Sequence, residues 1–178
     1  SHGLGEIRLL WPTLAAITRT AGQVVLVDPP YIPYAPAWTA AGIELGRLLW
    51  LALSQDEQRL WAFEQSLRSG ACRAALLWLE HEPDSRSWRR LQLAADEGDC
   101  IGWVMLRSAQ VRRASPVSLR LRLSQQALPA LQILKRRGPP LLQPLFLPEL
   151  NNISERIAAP RQQSFAPLRR VHCLRVPR

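Results

Sequence analysis

The sequence is poor in the residues that most often identify a catalytic or metal-binding protein. Its 178 residues include three cysteines and three histidines. Cys72, Cys100 and Cys173 form no CxxC pair and are too scattered for a disulfide framework or a zinc site, so we expect reduced thiols that act as small apolar residues. The histidines lie far apart, and no HExxH or GxSxG motif occurs. We therefore predict a protein without metal, cofactor or catalytic centre.

Long hydrophobic runs are also missing. No stretch of about 18 uncharged apolar residues occurs, and the start lacks a basic segment followed by an apolar one, so the sequence predicts a cytoplasmic protein with no membrane contact. The hydrophobic content of 47% is nevertheless sufficient for one substantial core.

Negative charge is scarce in the second part of the chain. Residues 1–106 hold 9 Arg against 12 acidic residues, a balance of −3, whereas residues 107–178 hold 14 basic against 2 acidic residues, a balance of +12. Of the 23 basic residues only Lys135 is a lysine. Arginine suits phosphate and carboxylate recognition, and this asymmetry favours an anionic partner, although a solvated basic face with no ligand is an equal alternative.

Apolar runs alternate with helical periodicity along residues 6–106. Strands are predicted at 24–27, 48–53, 74–79 and 100–106, with helices at 6–20, 37–41, 54–69 and 85–97. This alternation predicts an α/β fold with a mainly parallel sheet covered on both faces. A capping box formed by Ser54 and Glu57 is expected to open the third helix. The proline-rich segment 29–36 is predicted to be an ordered turn packed by Tyr31 and Tyr34.

The pattern changes after residue 106. Residues 118–124 alternate strictly between leucine and polar residues, which predicts a strand with one wet face, and residues 131–135 are expected to pair with it as an antiparallel edge hairpin. From Pro139 onward, 7 of the 15 prolines fall within 40 residues. We therefore divide the chain into a core at 3–138 and a proline-rich tail at 139–178, in which Leu145 and Phe146 are candidates for docking on a partner.

The first helix begins where a nucleotide-binding protein would carry its phosphate loop. A glycine-bearing loop, a helix and a strand ending in Asp28 resemble the opening of a RecA-like P-loop domain, whose loop ends in Gly-Lys-Ser/Thr. Here the equivalent residues are Gly5, Glu6 and Ile7. An acid replaces the cation and an apolar side chain replaces the magnesium ligand, so nucleotide hydrolysis is not expected. The alternative is that no phosphate loop ever existed and that Glu6 is a favourable acid in a first helical turn.

Five blocks in order resemble the ImuA family, whose members are RecA-like accessory proteins encoded with ImuB and an error-prone polymerase in bacterial translesion-synthesis cassettes. The blocks are GLGEIRLLWPTLA at 3–15, PPYIPYAPAW at 29–38, LWAFEQSLRSGACRAALLWL at 60–79, RRLQLAADEG at 89–98 and LKRRG at 134–138. The resemblance implies a RecA-like fold, a role in the SOS response and DNA repair, and binding to an ImuB-type polymerase homologue, with RecA and DNA as further candidate partners.

A weaker similarity leads to SulA, the SOS inhibitor that caps FtsZ. It rests on the LRSG element before an apolar strand and on the AxEG element, here at 67–70 and 95–98. SulA-like chains usually lack the KRRG block and the long basic tail, so ImuA is the first hypothesis and a division inhibitor the second. A surviving nucleotide hydrolase is the third, and self-association stays open.

The candidate contact residues are mostly basic. Those before the tail are expected to form one basic rim for DNA phosphates or an acidic partner. The full set of candidates for partner or DNA binding is Arg112, Arg113, Arg120, Arg122, Lys135, Arg136, Arg137, Leu145, Phe146, Arg169 and Arg170.

Overall fold

The fold is seen in a computed structural model, which describes residues 6–106, 116–124, 130–141, 143–146 and 170–171, the last two and residue 124 by their backbone only. Its main sheet has four parallel strands in the order β4-β3-β1-β2, and a two-residue strand, β8, lies parallel to β2 at its outer edge. The strands are β1 (Gln23–Val27), β2 (Leu48–Leu51), β3 (Cys72–Leu79), β4 (Ile101–Leu106) and β8 (Arg170–Val171).

Helices cover both faces of this sheet, as the continuous apolar strands predicted. The helices are α1 (Glu6–Arg19), α2 (Ala35–Ala40), α3 (Asp56–Arg68) and α4 (Ser85–Glu97). The central strand β3 shows how the two faces divide. Its Leu76 and Trp78 pack in a cluster with α1 and α2, whereas Leu77 and Leu79 pack in a second cluster with α3 and α4. The predicted α/β class is therefore confirmed.

Two local expectations were wrong. The N-cap of α3 is Gln55 and makes no side-chain hydrogen bond, so the capping box expected from Ser54 and Glu57 does not form. The expected packing of Tyr31 and Tyr34 does not occur either, because both side chains are about two-thirds exposed. By contrast, α4 has the predicted bounds. Its N-cap Asp84 accepts a hydrogen bond of 2.6 Å from the backbone N–H of Ser87, which holds the pKa of this carboxyl below its usual value.

A separate antiparallel sheet follows the parallel one. It consists of β5 (Arg120–Ser124), β6 (Ala130–Lys135) and β7 (Leu145–Phe146) in that order. The predicted pairing of the first two strands is confirmed. The pair is not attached to the edge of the parallel sheet, and its third strand comes from the proline-rich segment. In the part of the chain that the structure describes, no helix is both long and apolar enough to cross a membrane.

Candidate functional site

At the carboxyl edge of the parallel sheet, a hydrogen bond and ion pairs hold the residue from which the loop 29–34 begins. Asp28 directly follows β1 in a left-handed conformation, with φ of 46°, and its backbone N–H donates to the carbonyl of Leu51 at 2.8 Å. Its Oδ2 lies 2.5 Å from Nη2 of Arg59, whose Nη1 lies 2.7 Å from Oδ1 of Asp56. These contacts join the end of β1 to the end of β2 and to the first turns of α3. Asp28 therefore anchors the turn that begins at Pro29.

The loop 29–34 that follows Asp28 buries Pro33 but turns its large side chains to solvent. Its three large side chains, Tyr31, Ile32 and Tyr34, are 67%, 76% and 66% exposed. The next large residue, Trp38, is buried in the core, so the exposed part ends sharply at α2. Prolines at positions 29, 30, 33 and 36 restrict the backbone on both sides of these residues. The loop therefore presents a restrained apolar surface that contributes little to the core.

The start of α1 places Glu6 and Ile7, two of the residues compared with a phosphate loop, near the same edge. Because α1 ends three residues before β1 begins, it runs back along the sheet and Glu6 lies toward the carboxyl ends of the strands. Glu6 is the acid in the first helical turn, and Ile7 packs against the buried core. Gly5 lies outside the described residues. This helix start therefore offers an acid and an apolar residue where a phosphate loop would present lysine and a hydroxyl.

The predicted basic residues divide into different environments. Arg120 is only 15% exposed and its Nη2 lies 2.5 Å from Oε1 of Glu82, so it ties β5 to the loop after β3 and is not presented to an anion as predicted. Arg122 is exposed farther along β5. The exposed Lys135, Arg136 and Arg137 lie at the end of β6, where Nε of Arg136 also donates to the carbonyl of Pro139 at 2.6 Å.

The remaining predicted contact residues belong to the tail or to undescribed segments. Leu145 and Phe146 are exposed on β7, which pairs with β6. Arg170 is described by its backbone alone, paired with Trp50 of β2. Arg112, Arg113 and Arg169 lie outside the described residues, so the predicted basic rim stays a prediction.

The LRSG block at 67–70 and the AxEG block at 95–98 contact each other in the structure. Arg68 of the LRSG block donates through Nε to Oε2 of Glu97 in the AxEG block at 2.9 Å. Gly98 lies so close to the carbonyl group of Leu67 that a Cβ there would overlap it. These residues hold together the C-terminal ends of α3 and α4, so their primary role is packing.

Between α3 and α4 lies a cleft of about 210 Å³ that sequence reasoning did not find. Trp61 and Leu91 form part of its wall. The carboxylate of Glu64, which is buried, is paired with Arg68 at 3.4 Å and with Arg90. Each oxygen of the buried carboxylate therefore pairs with an arginine. Among the described residues no group of three or more His, Cys, Asp or Glu side chains is arranged to hold a metal ion.

The sequence also did not predict that two buried thiols lie next to each other. Cys72 and Cys100 lie with their Sγ atoms 3.5 Å apart, although 28 positions separate them in sequence. The signal in the sequence was the repeated Gly-x-Cys at 70–72 and 98–100, placed directly after the two blocks that pack together.

Comparisons with known proteins support the fold. Protein-family models and curated proteins give no match. Among solved structures, the crystal structure of SulA from Pseudomonas aeruginosa is similar, with 24% sequence identity and a TM-score of 0.50 over 60% of this chain and 92% of that chain. At this identity the likeness concerns the fold alone. It supports the weaker of the two sequence resemblances, and the chain is accordingly similar in fold to SulA.

Proposed function

We propose that this chain is a non-catalytic accessory protein of SOS-induced translesion DNA synthesis that binds an ImuB-type polymerase homologue. The observation that carries the proposal is the exposed loop 29–34. It belongs to the PPYIPYAPAW block of the ImuA resemblance, yet Tyr31, Ile32 and Tyr34 are left outside the core. Large apolar side chains that a family-like block leaves exposed are best explained by contact with a partner.

Physical properties of the loop suit protein binding. Adjacent exposed apolar side chains mark interaction sites, and tyrosine is enriched where interfaces gain most of their binding energy. The flanking prolines and the ion pair between Asp28 and Arg59 restrain the loop before any partner arrives. Less conformational entropy is therefore lost on binding, which favours affinity.

The non-catalytic part of the proposal rests on the first turn of α1. A lysine would neutralise phosphate oxygens, whereas Glu6 would repel them. ATP turnover that disappears in the Glu6→Ala variant would contradict this part of the proposal and revive the nucleotide hydrolase.

The first experiment measures the affinity of the full chain for a purified ImuB-type homologue by calorimetry. We expect the double variant Tyr31→Ala, Ile32→Ala to weaken binding at least tenfold, because each truncation removes an interface anchor. The matched control is Leu93→Ala, since Leu93 is 65% exposed on α4 and lies outside the loop. Equal affinity of the double variant and the control would contradict the proposed interface.

A second candidate function is a SulA-like inhibitor of cell division that binds FtsZ. The observation in its favour is the fold likeness, which extends over 92% of the SulA chain. Expression of the chain in bacteria distinguishes the two functions. Filamentous cells, together with inhibition of FtsZ polymerisation by the purified protein, would favour the inhibitor. Normal division together with binding to the ImuB-type homologue would favour the adaptor.

A further inference from the structure

The two described cysteines form a buried dithiol. Cys72 is the first residue of β3 and Cys100 directly precedes β4, and both side chains are buried. Their Sγ atoms are 3.5 Å apart. A disulfide has an S–S length of about 2.05 Å, so roughly 1.5 Å of approach separates the present pair from a covalent bond. Small changes in the two side-chain torsions can supply such an approach.

The backbone around the pair is held from several directions. Next to the thiols, the close packing of Gly98 on the carbonyl group of Leu67 fixes the distance between the ends of α3 and α4. The ion pair of Arg68 with Glu97 spans the same two turns. These contacts preorganise the thiols because neither turn can move away without breaking them.

A further contact lies on the other side of the pair. The guanidinium of Arg73 forms an ion pair with the carboxylate of Asp99 and donates to the carbonyl of the same residue at 3.4 Å. Arg73 follows Cys72 and Asp99 precedes Cys100 in the sequence. The residues next to the two cysteines are therefore bonded to each other.

The hydrogen bonds also make the two thiols chemically different. The bond with Cys100 lowers the pKa of Cys72 to about 7, and the hydroxyl of Ser69 adds to this effect. The same bond raises the pKa of Cys100, and burial raises it further. Burial opposes the lowering of the Cys72 pKa, and the thiol of Cys72 donates a hydrogen bond to the carbonyl of Ser66 at 2.6 Å. Because the thiolate is the reactive species, we expect Cys72, which has the lower pKa, to react first and Cys100 second.

We propose that Cys72 and Cys100 are a covalent modification site, at which a peroxide oxidises the two thiols to a reversible intramolecular disulfide. The Cys72 thiolate attacks one peroxide oxygen, the O–O bond breaks, and a sulfenic acid forms on Cys72 with release of hydroxide. The sulfur of Cys100 then attacks the sulfenic sulfur, the S–O bond breaks, and water leaves as the Cys100 proton is lost. Two thiols and one hydrogen peroxide thus give one disulfide and two waters, and a dithiol reductant reverses the change.

This site is independent of the function proposed above. Cys72 and Cys100 lie where β3 and β4 begin, whereas the loop 29–34 follows the end of the parallel strand β1. Oxidation therefore leaves the apolar loop at the opposite edge exposed. Loss of partner binding in a loop variant says nothing against the disulfide, and failure of the disulfide says nothing against the adaptor.

The experiment uses the full chain with Cys173→Ser, so that only the pair remains. The folded protein is treated with a slight excess of hydrogen peroxide, blocked with an alkylating agent, denatured and digested with trypsin without reductant. We expect the intact mass to fall by two hydrogen atoms and the peptides 69–73 and 91–107 to be linked. Dithiothreitol should restore both thiols, and the oxidation rate should rise between pH 6 and pH 8 with the thiolate fraction of Cys72.

Two variants test the assigned order. In Cys100→Ala, the sulfenic acid on Cys72 should persist and be trapped by dimedone. In Cys72→Ala, reaction with peroxide should slow at least tenfold. If either variant does not fold, as judged by circular dichroism, the peptide map of the Cys173→Ser protein decides alone. Two free thiols after treatment, separate overoxidation of each sulfur, or a link that forms only in urea would overturn the proposal.

Discussion

The close approach of α3 and α4 predicts an unusual cost for a conservative change, Gly98→Ala. Gly98 has φ of −91° and ψ of 2°, a conformation open to alanine, so the backbone itself does not require glycine. If only backbone conformation mattered, the alanine would raise the free energy of unfolding by about 0.4–1 kcal/mol, because it restricts the unfolded chain. Stabilisation would then be the normal expectation.

The surroundings reverse this expectation. A Cβ at position 98 would lie 2.9 Å from the carbonyl carbon of Leu67, 3.1 Å from that of Arg68, and closer still to the carbonyl oxygen of Leu67. Real Cβ atoms essentially never approach other heavy atoms below 3.0 Å. The neighbours are backbone atoms and cannot rotate away, so the ends of the two helices must separate by about 1 Å or more, as overpacking of a core requires.

The magnitude follows from these opposing terms. Overpacking a close contact costs about 1–3 kcal/mol or more, and here the separation also disturbs Leu67, which is fully buried. After subtraction of the entropic gain, we expect Gly98→Ala to lower the free energy of unfolding by about 2 kcal/mol. For a chain of this size that loss corresponds to a fall in Tm of about 4–8 °C.

Urea unfolding followed by tryptophan fluorescence measures the change. The matched control is Gly46→Ala, because nothing lies within 4 Å of the Cβ position at Gly46 and its φ is not in the left-handed region. We expect the control to stay within about 0.5 kcal/mol of the original protein. If Gly98→Ala were as stable as the control, the close packing of the two blocks, and with it the framing of the dithiol, would be refuted.

Three further predictions concern other parts of the molecule. Asp28→Ala should destabilise the fold by about 1 kcal/mol more than Asp28→Gly. Both changes remove the ion pair with Arg59, but only glycine adopts the left-handed conformation of residue 28 without strain. Equal losses of unfolding free energy in urea would argue against that conformation. Formation of the disulfide between Cys72 and Cys100, which lie 28 positions apart, should raise the free energy of unfolding by up to about 3.6 kcal/mol. An oxidised form with a lower Tm than the reduced form would indicate a strained bond. Phe146→Ser should weaken binding to an ImuB-type homologue with a stability change below about 0.5 kcal/mol, since the ring is exposed; unchanged affinity would remove Phe146 from the interface.

Local sequence signals predicted the elements well where tertiary contacts agreed with them. The bounds of α4 matched because Asp84 caps it and its apolar residues repeat at helical spacing. The expected capping box at Ser54 and Glu57 failed because the chain enters α3 through Gln55, which leaves the serine outside the cap. The helix α4 ends at Gly98, although Asp99 and not Gly98 takes the left-handed conformation.

Site residues were harder to predict than elements. Arg120 looked like one of several equivalent basic residues, but the fold brings Glu82 next to it and leaves its side chain only 15% exposed. Tyr31 and Tyr34 looked like packing residues, because a proline-rich segment that can form neither a strand ladder nor a helix interior is expected to be an ordered turn. Instead Pro33 is buried and both tyrosine side chains are exposed, and no pattern within the loop distinguishes these two outcomes.

By itself, the sequence determined the α/β class, the positions of the helices and the parallel strands, and the uneven distribution of charge, because these depend on the period and composition of contiguous residues. Only the tertiary structure decided that the LRSG and AxEG blocks touch, that Cys72 and Cys100 share one site and that the antiparallel strands form their own sheet. The physical reason is that the spacing of apolar residues along the chain indicates which face of a helix or strand is apolar. Which two faces meet depends on the packing of the whole core, where residues 28 positions apart become neighbours.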